Sequence, residues 1–206
     1  MPLTVLQHAL AAQILTRLRD KTTAPEQFRP LTHALSQILL VEATRELPTT
    51  SVPVTTPLEE TEGSALTEGI VAVPILRAGL GMLDAVLELL PASNVGYLGM
   101  QRDEETAIAT SYYAKLPPLQ GRTALLLDPM LATGGSASWA ANELYKAGAS
   151  RVILLCVVAA PEGVHRLQTD FPALHIVTAS LDRELNARRY ICPGLGDFGD
   201  RLFGTF

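Results

Sequence analysis

The sequence predicts an α/β fold, a mainly parallel sheet flanked by helices, and two patterns carry that reading. Gly69-Ile-Val-Ala-Val-Pro-Ile75, Arg122-Thr-Ala-Leu-Leu-Leu127 and Arg151 to Ala159 are almost continuously apolar, as strands buried on both faces must be. Segments with helical spacing alternate with them, the order of a parallel sheet covered on both sides. Of 206 residues, 48% are hydrophobic, enough for one well-packed domain spanning residues 1–206 and too many for a disordered chain.

Each element has its own signal. From His8 to Arg19, Leu10, Ile14, Leu15 and Leu18 fall on one side of a helix. A second helix is predicted from Glu26 to about Leu47, striped by Leu31, Leu35, Ile38, Leu39 and Val41. Pro25 opens it at a position where a missing N–H does no harm. Pro48 to Glu68 is rich in Thr, Pro and Glu, and the alternation of Val52 and Val54 predicts an exposed strand or hairpin. A buried strand, Gly69–Ile75, is then followed by a helix over Leu80–Leu90 and a strand over Val95–Met100. Thr106 to Tyr113 reads as an extended excursion. Arg122–Leu127 is the next strand, with a helix from about Ser136 to Ala147 closed by Gly148. Arg151–Ala159, Pro161–Thr169 and Leu174–Ala179 complete the series as strand, helix and strand.

Charge and composition narrow the partners. A net charge of −5 gives no basic footprint for nucleic acid, although a few converging arginines still suit a phosphate. Cys156 and Cys192 are isolated and form neither a metal-ligand cluster nor a disulfide framework. No basic, apolar and small-residue succession at the start suggests a secretory signal. Apolar runs fall short of the roughly 20 residues that span a bilayer. A cytoplasmic protein without membrane or nucleic-acid partners is expected.

In a parallel sheet, ligands bind beyond the carboxyl ends of the strands. That directs attention to Leu76-Arg77-Ala78-Gly79, to Gln101-Arg102 and to Asp128-Pro129-Met130-Leu131-Ala132-Thr133-Gly134-Gly135-Ser136. The last segment places a carboxylate at a strand end, then a small-residue loop that opens a helix. Unpaired N–H groups at a helix start form an anion site. Thr133 and Ser136 add hydroxyl donors, and Asp128 can accept from vicinal ribose hydroxyls. No Lys follows the glycines, so this is not a Walker A loop. A serine cap after a flexible turn is the competing reading of Gly-Gly-Ser alone.

Asp128 to Ser136 resembles the 5-phosphoribosyl 1-diphosphate (PRPP) segment of the type I phosphoribosyltransferases, in the form of the uracil phosphoribosyltransferase family, where proline replaces the second acidic residue, as Pro129 does. The similarity extends to Pro74-Ile-Leu-Arg77-Ala-Gly-Leu-Gly81, Met100-Gln-Arg102-Asp-Glu-Glu, Ala159-Ala-Pro-Glu-Gly163 and Tyr190-Ile-Cys-Pro-Gly-Leu-Gly196-Asp197-Phe-Gly-Asp200. The resemblance implies a type I core with a small hood built from the N- and C-terminal segments. It implies conversion of uracil and PRPP to UMP and diphosphate in pyrimidine salvage, with Mg²⁺ held mainly through PRPP and water rather than by direct protein ligands. It implies a homodimer or higher homo-oligomer.

By the same resemblance, Arg77, Arg102, Asp128–Ser136 and Asp197 contact PRPP, and Ile191, Gly196, Asp197 and Phe198 contact uracil, mostly through backbone groups. Asp197 and Arg102 are the expected catalytic residues; Asp197 either orients metal-bound water or takes the N1 proton of the base. The loop of Leu76-Arg77-Ala78 is implied to hold a non-proline cis peptide, and Thr106 to Lys115 to cover the site, an oligomer contact being an equally good reading of that stretch. The chain departs from the family at His8-Ala9 and Gln13, at Glu26-Gln27 before Phe28-Arg29, and at Phe198, where many bacterial members have alanine. Oligomer size and regulation by GTP or another nucleotide stay open at this level.

Overall fold

The computed structural model describes residues 3–102 and 109–205, with the side chains of 101–111 outside that description. Strand β1 (Leu3–Val5) and helices α1 (Ala9–Arg19) and α2 (Pro25–Ala43) precede a hairpin of β2 (Thr49–Thr55) and β3 (Glu60–Leu66). Next come β4 (Ile70–Leu76), α3 (Leu80–Leu89), β5 (Asn94–Val95), β6 (Tyr97–Arg102) and β7 (Ala109–Lys115). They are followed by β8 (Thr123–Leu127), β9 (Met130–Leu131), α4 (Gly135–Lys146), β10 (Arg151–Ala159), α5 (Pro161–Asp170) and β11 (His175–Leu181). A short ladder of β12 (Glu184–Leu185) with β13 (Ile191–Cys192), then α6 (Phe198–Phe203), come last.

The main sheet runs β1-β11-β10-β8-β4-β6-β7. Its pairs are parallel except β6 with β7. The continuous apolar strands are central ones. Along β8 and β10, Leu125, Leu127, Ile153, Leu155 and Val157 join the core beneath α1, α2 and α3. Their neighbours Ala124, Leu126, Val152, Leu154 and Cys156 join a second core beneath α4 and α5. Strand side chains alternate between faces, so each helical layer receives every second residue.

Several sequence expectations shift. Helix α1 buries Ala11, Ile14, Leu15 and Leu18, while Leu10, at the margin of that stripe, is 50% exposed. Val41 is 58% exposed because it falls opposite the buried face of α2 formed by Leu35, Leu39 and Ala43. That helix stops at Ala43 rather than Leu47, and the Thr44 hydroxyl donates back to the Leu40 carbonyl at 2.8 Å. Val52 and Val54 do lie in a hairpin, and Gly148 closes α4 with φ 95°. The excursion at Thr106–Tyr113 is, from Ala109 onward, a strand antiparallel to β6; Thr106 to Ile108 lie outside the described residues.

The hood is a second junction of chain ends. Phe28 of α2 meets Phe198 of α6 edge to face, with ring centroids 5.0 Å apart. Arg201 stacks its guanidinium 4.6 Å from the Phe28 centroid and donates to the Leu18, Leu195 and Asp20 carbonyls. Truncating the fully buried Phe28 to alanine should therefore cost about 3–5 kcal/mol. Urea unfolding of Phe28→Ala checks this, and a loss below about 1 kcal/mol would mean the hood is not packed through this ring.

Candidate active site

One cleft of about 1080 Å³ opens beyond the carboxyl ends of β4 and β8. Its floor is the segment after β8. Asp128 takes the first position past the strand, and Met130 and Leu131 then pair with Val158 and Ala159 of β10, which fixes the loop before the helix starts. Gly134 occupies the N-cap of α4 with φ 76°, in the left-handed region that favours glycine. No side chain caps this helix. The serine-cap reading is thereby replaced: the cap position is glycine, and the first N–H groups of α4 are left for an anion.

Asp128 is the electrostatically unusual group of the site. Burial pushes its carboxyl up to about 7, opposed by the Met130 N–H, 3.5 Å from Oδ1. Thr133, Gly135 and Ser136 line the cleft above it. Pro129 does not; it is buried, and its carbonyl accepts from the Val157 and Val158 N–H groups.

The β4–α3 turn forms a second wall. The Leu76–Arg77 peptide is cis. Arg77 lines the cleft with an exposed side chain, its Nη2 3.9 Å from Oδ1 of Asp200 and its guanidinium 5.9 Å from the Phe203 ring centroid. The backbone of Arg102 closes β6, while its side chain lies outside the described residues.

The third wall is the loop from Ile191 to Asp197, and buried charge holds it. Asp182 accepts from Arg19 on both oxygens, at 2.8 and 2.5 Å, from the Ser180 hydroxyl at 2.7 Å and from the Gly194 N–H at 2.9 Å. Arg19 also donates to the Gly194 carbonyl at 2.7 Å. Burial acts to raise the Asp182 carboxyl, yet Arg19, Ser180 and Gly194 outweigh it and hold it below the ordinary carboxylate value. The Cys192–Pro193 peptide is cis. Among the described residues nothing hydrogen-bonds to the Gly196 N–H or carbonyl, so that peptide faces the cleft unspent.

Asp197 is exposed on the cleft and caps α6, its Oδ1 accepting from the Asp200 N–H at 2.9 Å. Phe198 touches the cleft, but its ring is consumed by the hood, only 1% exposed against Phe28. Tyr112 and Tyr113 are exposed on β7 and are not among the cleft-lining residues. Sequence reasoning missed Trp139, Asn142, Arg166, Asp170, Arg188 and Arg189, which also line the cleft. They belong to no motif; helices α4 and α5 and the β12–β13 turn deliver them.

This arrangement has relatives. The family model described as uracil phosphoribosyltransferase matches residues 5–205. The chain belongs to the uracil phosphoribosyltransferase family. It is 51% identical over 202 residues to the uracil phosphoribosyltransferase of Roseiflexus castenholzii, covering 98% of this chain and 97% of that one. That of Lacticaseibacillus paracasei is 47% identical over 204 residues, covering 98% of each chain. A solved protein from Aquifex aeolicus superposes with TM-score 0.93 at 38% identity, over 98% of this chain and 97% of that one. A hypoxanthine-guanine phosphoribosyltransferase from Bacillus anthracis shares the fold alone, with TM-score 0.54, 10% identity and 81% and 83% coverage.

The raised Asp128 carboxyl has a measurable signature. The unfolded chain releases that proton near 3.8 and the folded chain near 7, so the group's contribution to stability is lost as pH rises through this interval. Asp128→Asn should raise Tm at pH above about 7 and lose that advantage toward 3.8. Parallel thermal melts across the range check it; a pH-independent difference would contradict the assignment.

Proposed function

We infer that this chain carries out its family's reaction, uracil + PRPP → UMP + diphosphate, as a pentosyltransferase of pyrimidine salvage. The observation that carries the reading is that one cleft joins a phosphate-type helix start, Asp128–Ser136, to the glycine-rich loop of Ile191–Phe198. The α4 N–H groups and the Thr133 and Ser136 hydroxyls would take the 5′-phosphate, and Asp128 the ribose hydroxyls. Arg77 and Arg102 would bind diphosphate, whose oxygens match a planar guanidinium. Ile191 and Gly196–Phe198 would read uracil by backbone groups.

Diphosphate departs with the electrons of its bond to ribose, leaving oxocarbenium character that N1 of uracil attacks from the opposite face while its N1 proton passes to solvent or to Asp197. Catalysis is then alignment of two substrates and exclusion of water. Among the described residues no three acidic, His or Cys side chains cluster to hold a metal. The exposed carboxylate of Asp197, on the cleft, would hold Mg²⁺ carried in on diphosphate through water; bound there, the ion would supply positive charge against the leaving group. Alternatively, Asp197 takes the N1 proton.

We place the enzyme in the cytoplasm; among the described residues no helix is long and apolar enough to cross a membrane. A homo-oligomer is supported by exposed apolar residues on the β2–β3 hairpin and its turn, Val54, Leu58 and Leu66.

Incubating the enzyme with PRPP, Mg²⁺ and each common base should give UMP from uracil. Uracil presents an acceptor at O4 and a donor at N3, and cytosine reverses both, so kcat/KM should differ by roughly 10⁴. A ratio near one would defeat the backbone-reading pocket. Arg77→Ala should remove roughly 1.5–3 kcal/mol of PRPP binding without lowering Tm. Unchanged activity at limiting PRPP would show that Arg77 has been miscast.

A further inference from the structure

Helix α5 lies unusually close to the phosphate loop. Gly163 makes this approach feasible, since a Cβ there would clash with the Ala132 carbonyl oxygen. Residues three apart share a helix face, so the side chain one turn on, Arg166, is carried over the same loop. A Cβ at Gly134 would stand 3.4 Å from Cδ of Arg166, and one at Gly135 would stand 3.6 Å from its Nη1. The guanidinium therefore sits directly beside the two glycines that begin α4.

Its other edge is anchored. Asp170, one turn further along α5, stands 3.5 Å from Arg166 Nε and itself accepts from the Ser138 hydroxyl of α4 at 2.9 Å. A Ser138–Asp170–Arg166 chain thus ties α4 to α5 and aims the Nη1 end at the loop. Arg166 is half-exposed and lines the cleft.

We propose that Arg166 binds the 5′-phosphate of PRPP and of UMP, closing from α5 the cradle whose other side is the start of α4. This rests on the assignment of the Asp128–Ser136 loop to the 5′-phosphate. A helix start offers N–H donors and partial charge, and a guanidinium adds a full charge and a planar fork matched to phosphate oxygens. The competing description is an ordinary surface ion pair with Asp170, which would contribute little to stability and nothing to binding.

Two inhibitors separate the phosphate subsites: ribose 5-phosphate, which carries only the 5′-phosphate, and inorganic diphosphate. In Arg166→Ala, KM for PRPP and Ki for ribose 5-phosphate should each rise roughly 10- to 100-fold. Ki for diphosphate, kcat at saturating PRPP and Tm should stay near wild type, and Arg166→Lys should recover part of the ribose 5-phosphate affinity. An active variant in which ribose 5-phosphate binds as in wild type, or in which both inhibitors weaken equally, overturns the proposal. Failure of the wild-type enzyme to make UMP would instead overturn the reading beneath it, and this proposal with it.

Discussion

The site depends on a carboxylate kept ionised inside the protein. Asp182, at 5% exposure, just past the end of β11, accepts from three sides: Arg19 from α1, Ser180 from that strand and the Gly194 N–H from the loop it supports. A buried ion pair is weak evidence for stability, because desolvation offsets most of its attraction. Its directional value is greater. Arg19 bridges Asp182 and the Gly194 carbonyl with one nitrogen, so helix, sheet edge and loop share a single fixed geometry. Arg201 repeats the device from the other side, joining Leu195 to Leu18 and Asp20. With Gly194 and Leu195 committed, Gly196 is the peptide left to face the cleft.

The other half of the cleft is built by the sheet. Parallel register brings the ends of β4 and β8 to one edge, where a cis turn carries Arg77 and the Asp128 loop leads into α4. Nothing in this half needs a buried ion pair. Backbone pairing of Met130 and Leu131 to β10 immobilises the loop, and Asp128 is left with a desolvated carboxyl. A rigid sheet edge thus meets a tail fixed by arginines, and the cleft is the gap between them.

What the sequence reveals follows from what each residue contacts. Ile70–Leu76, Thr123–Leu127 and Arg151–Ala159 are buried on both sides, so their apolar character is continuous and easily read. β1, β12 and β13 are only two or three residues long and carry no period to detect. Helix α6 was hidden because its apolar residues, Phe198 and Leu202, serve the hood through contacts remote in sequence. The Asp128–Ser136 loop, Arg77 and the Ile191–Phe198 tail were legible as motifs. Arg19, Asp182 and Arg201 were not: a charged residue reads as surface until three-dimensional structure surrounds it with partners. Arg166 was invisible for a related reason, since only the packing of α5 brings it to the loop.

The bond from Arg201 to the Leu18 carbonyl joins residues 183 positions apart. Among the described residues no hydrogen bond closes a longer loop, so its closure costs the most entropy of its kind and nearer pairings are favoured to organise first. The sheet edge and the Asp128 loop rest on pairings that close shorter loops, β4 with β8 and β8 with β10, and can assemble before the hood. Its helices wait with Phe28 unpaired until the segment carrying Phe198 and Arg201 docks, so the third wall of the cleft is set in one step with the packing of α6 and not gradually.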